Sequence, residues 1–168
     1  RGKLAIAGAT NQRLKITLTP RADKCITIDS SLGNYQTTLD TLKVEKPFHF
    51  ILQTIVHCKE KLTHGFDLKI TSQFSHTVGL GSSAAIVAAT LSNLHQWLGL
   101  SLDKNDLFIA ARNIIQKTQG RGSGADVAAS IYGGLVAYRM EPLLIEKLNH
   151  LPEVDLIFTG YKTSTPEV

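Results

Sequence analysis

The chain has 168 residues, of which 43% are apolar and 19% are charged. This composition supplies enough apolar material for a core and too little charge for a disordered chain. No apolar run reaches the roughly 18 residues that cross a bilayer, which excludes a membrane-spanning helix. The net charge is +4, with basic residues scattered along the chain. Such a modest positive field suits an anionic small molecule at least as well as a nucleic acid.

The ends of the chain and its cysteines bear on where the protein works. The sequence opens at Arg1 without a methionine or a signal peptide, and it stops just after a predicted strand and turn, which is typical of a fragment. Cys25 and Cys58 follow no metal-ligand spacing. We therefore expect two buried thiols in a reducing cytoplasm.

Alternating apolar and polar residues predict strands in the first part of the chain. These strands cover residues 3–8, 13–19, 24–29 and 66–72, and a weaker strand pattern follows a turn at Gly33-Asn34 and runs to about residue 42. Apolar residues at helical spacing, with a proline in the first turn, predict a helix over residues 47–62.

Helices dominate the second part of the chain. The spacing predicts an Ala-rich helix from about residue 82 to 98, another over residues 102–117 with Ser101 as its N-cap, and a short helix over residues 126–132. Late strands are predicted at residues 135–139 and 156–159. This order of elements predicts an α+β fold in which an antiparallel sheet is covered on one face by helices.

The sharpest chemical signal is a glycine- and serine-rich loop between a strand and a helix, hereafter the first loop. It reads Gly79-Leu80-Gly81-Ser82-Ser83-Ala84-Ala85. The glycines allow a tight turn, and the unpaired N–H groups and the dipole of the following helix suit a phosphate. The serine hydroxyls can reach phosphate oxygens or Mg²⁺. An ordinary turn with a serine cap is the alternative, since the motif is neither a P-loop nor a dinucleotide fingerprint.

A second glycine-rich loop, hereafter the second loop, reads Gln119-Gly120-Arg121-Gly122-Ser123-Gly124-Ala125-Asp126. Its composition allows a ligand to approach the backbone closely. Asp126 falls at a helix start, where it can orient or deprotonate an acceptor hydroxyl, and Arg121 can grip an anionic group. The alternative is an aspartate that only balances the unpaired N–H groups of its own helix.

Together the two loops resemble those of the GHMP kinase superfamily, which includes galacto-, homoserine, mevalonate and phosphomevalonate kinases. Residues 79–85 are similar to its phosphate-binding motif, and residues 2–8 to its opening strand with a functional lysine. Residues 122–134 are similar to its segment with the catalytic aspartate, and residues 159–165 to the strand-turn that opens its C-terminal domain. The chain departs from the family pattern in two places. It lacks the proline that usually leads into the phosphate-binding motif and the glutamate that usually follows the position of Gly8.

The resemblance implies a kinase N-terminal domain over residues 1–158, with a two-layer fold like that of ribosomal proteins, and the start of a missing C-terminal domain at residues 159–168. It implies ATP and Mg²⁺ as cofactors, a small anionic acceptor, a cytoplasmic location, and no nucleic-acid or membrane partner. The second loop is most similar to that of phosphomevalonate kinases, which implies phosphoryl transfer from ATP to phosphomevalonate. Mevalonate kinase or another sugar or alcohol kinase is the alternative, and a basic RNA-binding module is the alternative of another class.

The resemblance also implies roles for individual residues. Asp126 and Lys3 would be catalytic. The acceptor would lie against Arg121, Gly122, Ser123 and Gly124. The ATP phosphates would lie against Gly79, Leu80, Gly81, Ser82, Ser83 and Ala84, with Ser82 and Ser83 also near Mg²⁺.

Overall fold

The computed structural model describes residues 2–75, 77–149, 153–158 and 160. Strands are the main elements of the first half of the chain, and helices those of the second. In chain order the elements are β1 (Ala5–Gly8), β2 (Leu14–Pro20), β3 (Cys25–Ser30), β4 (Gly33–Thr38), α1 (His49–Cys58), a 3₁₀ turn (Lys59–Lys61), β5 (Phe66–Ser72), α2 (Ser82–Trp97), α3 (Lys104–Gln119), α4 (Ala125–Tyr132), β6 (Leu135–Arg139) and β7 (Leu144–Leu148).

The strands form two sheets. The larger sheet has the order β2-β5-β3-β4, in which β5 pairs antiparallel with β2 and parallel with β3. The smaller sheet has the order β1-β6-β7 and is antiparallel. The predicted α+β class is confirmed. The division into two sheets and the one parallel pair are features that alternation along single strands does not reveal.

The register of the larger sheet collects apolar side chains on one face. Across the parallel pair, Phe66 lies opposite Ile26 and Leu68 opposite Ile28, and all four are buried. Because side chains alternate along a strand, Asp67 between them points to the other face, where it remains half-exposed. The helices therefore find a continuous apolar surface on one side of the sheet.

The helix α2 is at the centre of the domain and contacts α1, α3, α4 and β2. Leu91 and Leu94 on this helix are fully buried. At its end, Trp97 packs edge-on against Phe66, with ring centroids 5.5 Å apart. The position of α2 therefore sets where the other helices lie. In the part of the chain that is described, no helix is both long and apolar enough to cross a bilayer.

The start of α3 differs from the prediction. The N-cap is Asp103, whose carboxylate accepts hydrogen bonds from the N–H groups of Asn105 and Asp106 at 2.8 and 3.2 Å. Ser101, the predicted cap, lies two residues too early, and its hydroxyl instead accepts from the Asp103 N–H and donates to the Asp106 carboxylate. The prediction for Ser101 is wrong because only Asp103 stands within reach of the first free N–H groups.

The end of the chain also differs from the prediction. The strand β7, which pairs with β6, was not predicted, because its Leu-Ile-Glu-Lys-Leu sequence lacks a clean alternation. Residues 156–158, predicted as strand, lie in no strand and have exposed side chains, since no strand edge among the described residues pairs with them. Thr159 and the strand-turn expected at its C-terminal side fall mostly outside the described residues.

The two cysteines lie in different environments. Cys58 at the end of α1 is buried as predicted, and burial raises the pKa of its thiol to about 11. Cys25 at the start of β3 is only half-buried, and its Sγ accepts a hydrogen bond from Nε2 of Gln36 at 3.3 Å. Both thiols are free. The expectation of two buried thiols is therefore wrong for Cys25, whose side chain lies on the polar face of the sheet.

The central position of α2 gives a stability prediction. Leu91 is fully buried on this helix, so Leu91→Ala is expected to lower the free energy of unfolding by about 2–5 kcal/mol. Ile109 on α3 is 50% exposed, so Ile109→Ala is a matched control expected to change it by about 0.5 kcal/mol or less. Urea denaturation followed by circular dichroism measures both. Equal losses for the two variants would contradict this packing.

Candidate active site

A cleft of about 730 Å³, hereafter the first cleft, lies where β1 and its connection to β2 meet the helices. Its walls come from this connection, from the turn before α2 and from one side each of α2, α3 and α4. The small side chains of Ala85, Ala88 and Ala89 leave room along α2. The glycine, polar and charged residues of the wall include Thr10, Arg13, Gly79, Gly81, Ser92, Lys104, Asp126 and Ser130.

The first loop reaches this cleft at the N-terminus of α2. Gly81 is the N-cap, with a φ of 68°, a left-handed conformation that side chains disfavour. No side chain caps the helix, and its first turn carries no acidic residue. The N–H groups and the dipole therefore leave a positive end beside Gly81 that no residue of this turn caps.

Asp126 lies directly against this turn. It is the second residue of α4, and its side chain is exposed. A Cβ placed on Gly81 would stand 3.5 Å from both Cβ and Cγ of Asp126, so no side chain separates the carboxylate from the first loop. The packing of α4 on α2 thus brings together the two loops that the sequence singled out.

Tyr138 of β6 anchors the second loop. The Tyr138 hydroxyl donates a hydrogen bond to the Ser123 carbonyl. A Cβ on Gly124 would stand 2.6 Å from this hydroxyl and 3.2 Å from Cδ of Arg112, and Gly124 has a φ of 90°. Burial raises the pKa of Tyr138, which keeps the phenol protonated as a donor at neutral pH. Glycine is therefore needed at position 124, directly before the helix that carries Asp126.

A second cleft, of about 860 Å³, also borders the start of α2. Its walls come from the β3–β4 turn, the start of α1, the end of β5 and the first turn of α2, including Ser82 and Ser83. Phe74 lines both clefts. Different residues of the first loop therefore line different clefts. Gly79, Leu80 and Gly81 line the first cleft, whereas Ser82 and Ser83 line the second. Ala84 is buried.

Within the part of the chain that the structure describes, several predicted site residues do not line the first cleft. Lys3 is exposed and precedes β1, and the predicted acceptor-binding residues of the second loop, Arg121, Gly122, Ser123 and Gly124, are not among the residues that line this cleft. The Arg121 carbonyl accepts a hydrogen bond from Nε2 of Gln119 at 2.9 Å, and its side chain is exposed. The roles of these residues in catalysis and acceptor binding stay predictions.

Two basic side chains that the sequence did not single out do line the first cleft. Arg13 donates from Nη1 to the Thr10 carbonyl at 2.6 Å. Nζ of Lys104 lies 5.6 Å from the centroid of the Tyr132 ring. These residues belong to separate elements and meet at the cleft only through the fold, so no sequence motif marks them.

The residues around the first loop fit a magnesium ion bound together with a nucleotide. Within the described ranges, no three His, Cys, Asp or Glu side chains converge on one point. Magnesium at nucleotide sites commonly takes one or two carboxylates along with phosphate oxygens and waters. Asp126, beside the turn at Gly81, supplies one carboxylate of this kind.

Comparison with known proteins identifies the family. Residues 49–134, about half of the chain, match the family model described as the GHMP kinases N terminal domain. The chain therefore belongs to the GHMP kinase family, and the resemblance seen in the two loops is confirmed.

Among its relatives, the mevalonate kinase of Pyrococcus horikoshii is 37% identical over 102 residues, which cover 60% of this chain and 29% of that protein. The mevalonate kinase of Saccharolobus solfataricus is 26% identical over 171 residues, which cover 98% of this chain and 54% of that protein. The chain thus spans about half the length, or less, of these relatives.

Solved structures share the fold. A crystal structure of mevalonate kinase matches with a TM-score of 0.78 at 19% identity, covering 88% of this chain and 50% of that one. The Streptococcus pneumoniae phosphomevalonate kinase in complex with phosphomevalonate and AMPPNP matches with a TM-score of 0.69 at 22% identity, covering 82% and 43%. The predicted fold of a GHMP kinase N-terminal domain is confirmed.

The support of the second loop by Tyr138 gives a prediction. Gly124→Ala is expected to lower the free energy of unfolding by more than about 2 kcal/mol, because the new methyl group overlaps the Tyr138 hydroxyl and the backbone is left-handed. Gly120→Ala has a similar φ of 77° but nothing within 4 Å of the added Cβ, so a loss of only about 1–2 kcal/mol is expected. Thermal unfolding compares them.

A double variant separates the overlap from the backbone strain. Tyr138→Phe removes the hydroxyl, so it is expected to recover part of the loss in the Gly124→Ala background. Strictly additive effects of the two substitutions would show that the added methyl group does not overlap the Tyr138 hydroxyl.

Proposed function

We propose that the protein is an ATP-dependent kinase of the mevalonate pathway that transfers the γ-phosphoryl group to a small anionic acceptor. One observation carries the proposal: the uncapped N-terminus of α2 and the carboxylate of Asp126 share one cleft. Membership of the GHMP kinases and the similarity to mevalonate kinases support it. In this proposal residues 1–158 form the N-terminal domain, and residues 159–168 begin a second domain.

The nucleotide phosphates lie against the first turn of α2 in this proposal. The free N–H groups of Ser82, Ser83 and Ala84 begin the helix, and the helix dipole favours negative charge there. Gly81 lets the phosphates approach the backbone because it carries no Cβ. Mg²⁺, when bound, neutralises part of the charge on the phosphates.

The nucleotide base lies in the second cleft. A nucleotide with its phosphates at the start of α2 extends past Ser82 and Ser83, which line that cleft. Phe48, Phe50 and Phe74 supply apolar and aromatic surface for a planar base. The cleft volume of about 860 Å³ is in the range of small-molecule sites.

Asp126 positions the acceptor and receives its proton. The acceptor oxygen attacks the γ-phosphorus, the bond to the bridging oxygen of ADP breaks, and the proton of an alcohol acceptor passes to the Asp126 carboxylate. Such a reaction depends mainly on positioning and on charge stabilisation. A phosphate-ester acceptor is already largely dianionic at pH 7 and needs little help from a base.

Two acceptors are candidates for this site. The sequence of the second loop favours phosphomevalonate, and the similarity to mevalonate kinases favours mevalonate. A coupled assay of ADP release by the full-length protein, with the two acceptors side by side, distinguishes them. Saturable release with one of them is expected, and the absence of release with both would refute the proposed function.

The role of Asp126 gives a kinetic prediction. Asp126→Asn is expected to lower kcat by roughly 10²–10⁴-fold with an alcohol acceptor, because the amide cannot take the proton. The loss is expected to be smaller with a phosphate acceptor. Asp29→Asn is a control, since Asp29 is exposed on β3 and does not line the cleft. Steady-state ADP release measures both, and an unchanged kcat on every accepted substrate would remove Asp126 from the mechanism.

The close approach of Gly81 to Asp126 gives a further prediction. Gly81→Ala and Gly99→Ala place a side chain at φ values of 68° and 64°, so both are expected to lose about 1–2 kcal/mol of stability. Only the first puts a methyl group between the turn and Asp126, so only it is expected to lower kcat/KM for ATP, by about 10²-fold. Initial rates at varied ATP compare them, and equal rates would contradict phosphate binding at this turn.

A further inference from the structure

We propose that the protein forms a symmetric homodimer in which β4 of one copy pairs antiparallel with β4 of a second copy. The inference is independent of the proposed function. Its basis is the outer edge of β4, where Asn34 and Gln36 present backbone N–H and C=O groups that no other described segment uses. An edge of this kind accepts a further strand, so the pairing joins the larger sheets of the two copies into one.

The pairing of β4 with β3 decides which backbone groups face outward. In an antiparallel pair, every second residue exchanges both of its backbone hydrogen bonds with the partner strand, and the residues between point the same groups away from it. The N–H of Leu39 donates to the Lys24 carbonyl at 3.0 Å, and the register continues unbroken from there through β4. The odd-numbered residues therefore bond to β3, and the even-numbered ones face outward: Asn34, Gln36 and Thr38.

One of these three residues is already occupied within its own chain. The N–H of Thr41 donates to the Thr38 carbonyl at 3.2 Å, and the Thr38 N–H donates to Oγ1 of Thr41 at 3.3 Å. The turn after β4 thus closes this end of the edge. Asn34 and Gln36 keep both of their backbone groups available to another strand.

Two copies of this edge fit each other in one antiparallel register. Asn34 then lies opposite Gln36 of the second copy, and the two residues exchange N–H···O bonds in both directions. The two-fold axis creates this pair twice and passes beside Tyr35, which lies opposite its own counterpart. A register centred on Gln36 instead places Asn34 opposite Thr38, whose groups are occupied, so it forms fewer hydrogen bonds.

Tyr35 adds a side-chain contact at the axis. It is half-buried and lies on the inner face of the sheet, opposite the buried Ile28 of β3. Its ring packs against Phe48 with centroids 5.4 Å apart, and its hydroxyl donates to Oε1 of Glu45 at 2.6 Å. Opposite side chains in a pair without hydrogen bonds lie close together, so the two tyrosines meet at the axis. Because each ring is already held in place, this contact costs little conformational freedom.

The two edge strands of the larger sheet differ in composition. The sequence of β4, Gly-Asn-Tyr-Gln-Thr-Thr, contains no charged residue and no proline, so two copies do not repel each other. The opposite edge strand, β2, carries the exposed Lys15 and ends in Pro20, which has no N–H to donate. Charged residues and proline are common protections against edge-to-edge pairing. This difference favours β4 as the edge that pairs.

Sedimentation velocity of the full-length protein tests the inference. The wild-type protein is expected to form a dimer that dissociates on dilution, because the paired edge is short. Gln36→Pro removes an outward N–H without removing a hydrogen bond to β3. The double substitution Asn34→Lys with Gln36→Lys places like charges opposite each other across the axis. Each variant is expected to raise the Kd of the dimer about tenfold or more.

Two controls make the result specific to β4. The double substitution Thr17→Lys with Thr19→Lys places the same charges on the exposed face of β2 and is expected to leave the Kd of the dimer unchanged. Asn34→Asp with Gln36→Asp is expected to weaken the dimer as the lysine substitutions do. An equimolar mixture of the two oppositely charged β4 variants is expected to dimerise again, since opposite charges then face each other. Circular dichroism confirms that each variant is folded.

Three outcomes would overturn the inference. A wild-type protein that stays monomeric at every concentration would show that this edge does not pair. A dimer whose Kd is unchanged by both Gln36→Pro and the lysine substitutions on β4 would show that another surface holds the two copies together. Failure of the mixed, oppositely charged variants to dimerise would contradict the placement of Asn34 opposite Gln36 of the second copy.

Discussion

The contact between Gly81 and Asp126 is the constraint on which the candidate site depends. The N-cap of α2 and the first turn of α4 approach so closely that a Cβ on Gly81 would touch the aspartate side chain. An open helix N-terminus attracts an anion, and a carboxylate attracts a proton donor. Placing the two side by side creates a point where an anionic nucleotide and a proton-bearing acceptor can meet. Neither group alone would indicate a kinase site, because each is common at helix ends.

The surrounding structure maintains this contact. Small residues along α2 leave the space that the cleft occupies, and the buried Val127 and Ala128 fix α4 against the rest of the domain. Tyr138 holds the second loop from the far side, where Gly124 leaves just enough room for its hydroxyl. The site is thus positioned by helices and a strand, and its glycines serve close approach between backbone segments as well as contact with a ligand.

Charged groups of both signs line the first cleft. The positive end of α2, the carboxylate of Asp126 and the cations Arg13 and Lys104 all contribute to its walls. Positive groups in such a cleft suit a reaction between two anions, since the anions would otherwise repel each other. The second cleft adds an apolar surface next to the phosphate turn, where a base can pack without disturbing these charges.

Local sequence determined a large part of this protein. Alternation predicted β2, β3 and β5 within about one residue, because each strand has one buried face, and helical spacing predicted α2 and α4 nearly as well. The glycines and Asp126 were visible because tight turns and helix starts restrict residue types locally. The tertiary structure alone decided the parallel pairing of β3 with β5 and the meeting of Arg13 and Lys104 at one cleft. These features depend on which distant segments pack together, and a pattern within one segment carries no information about its partner.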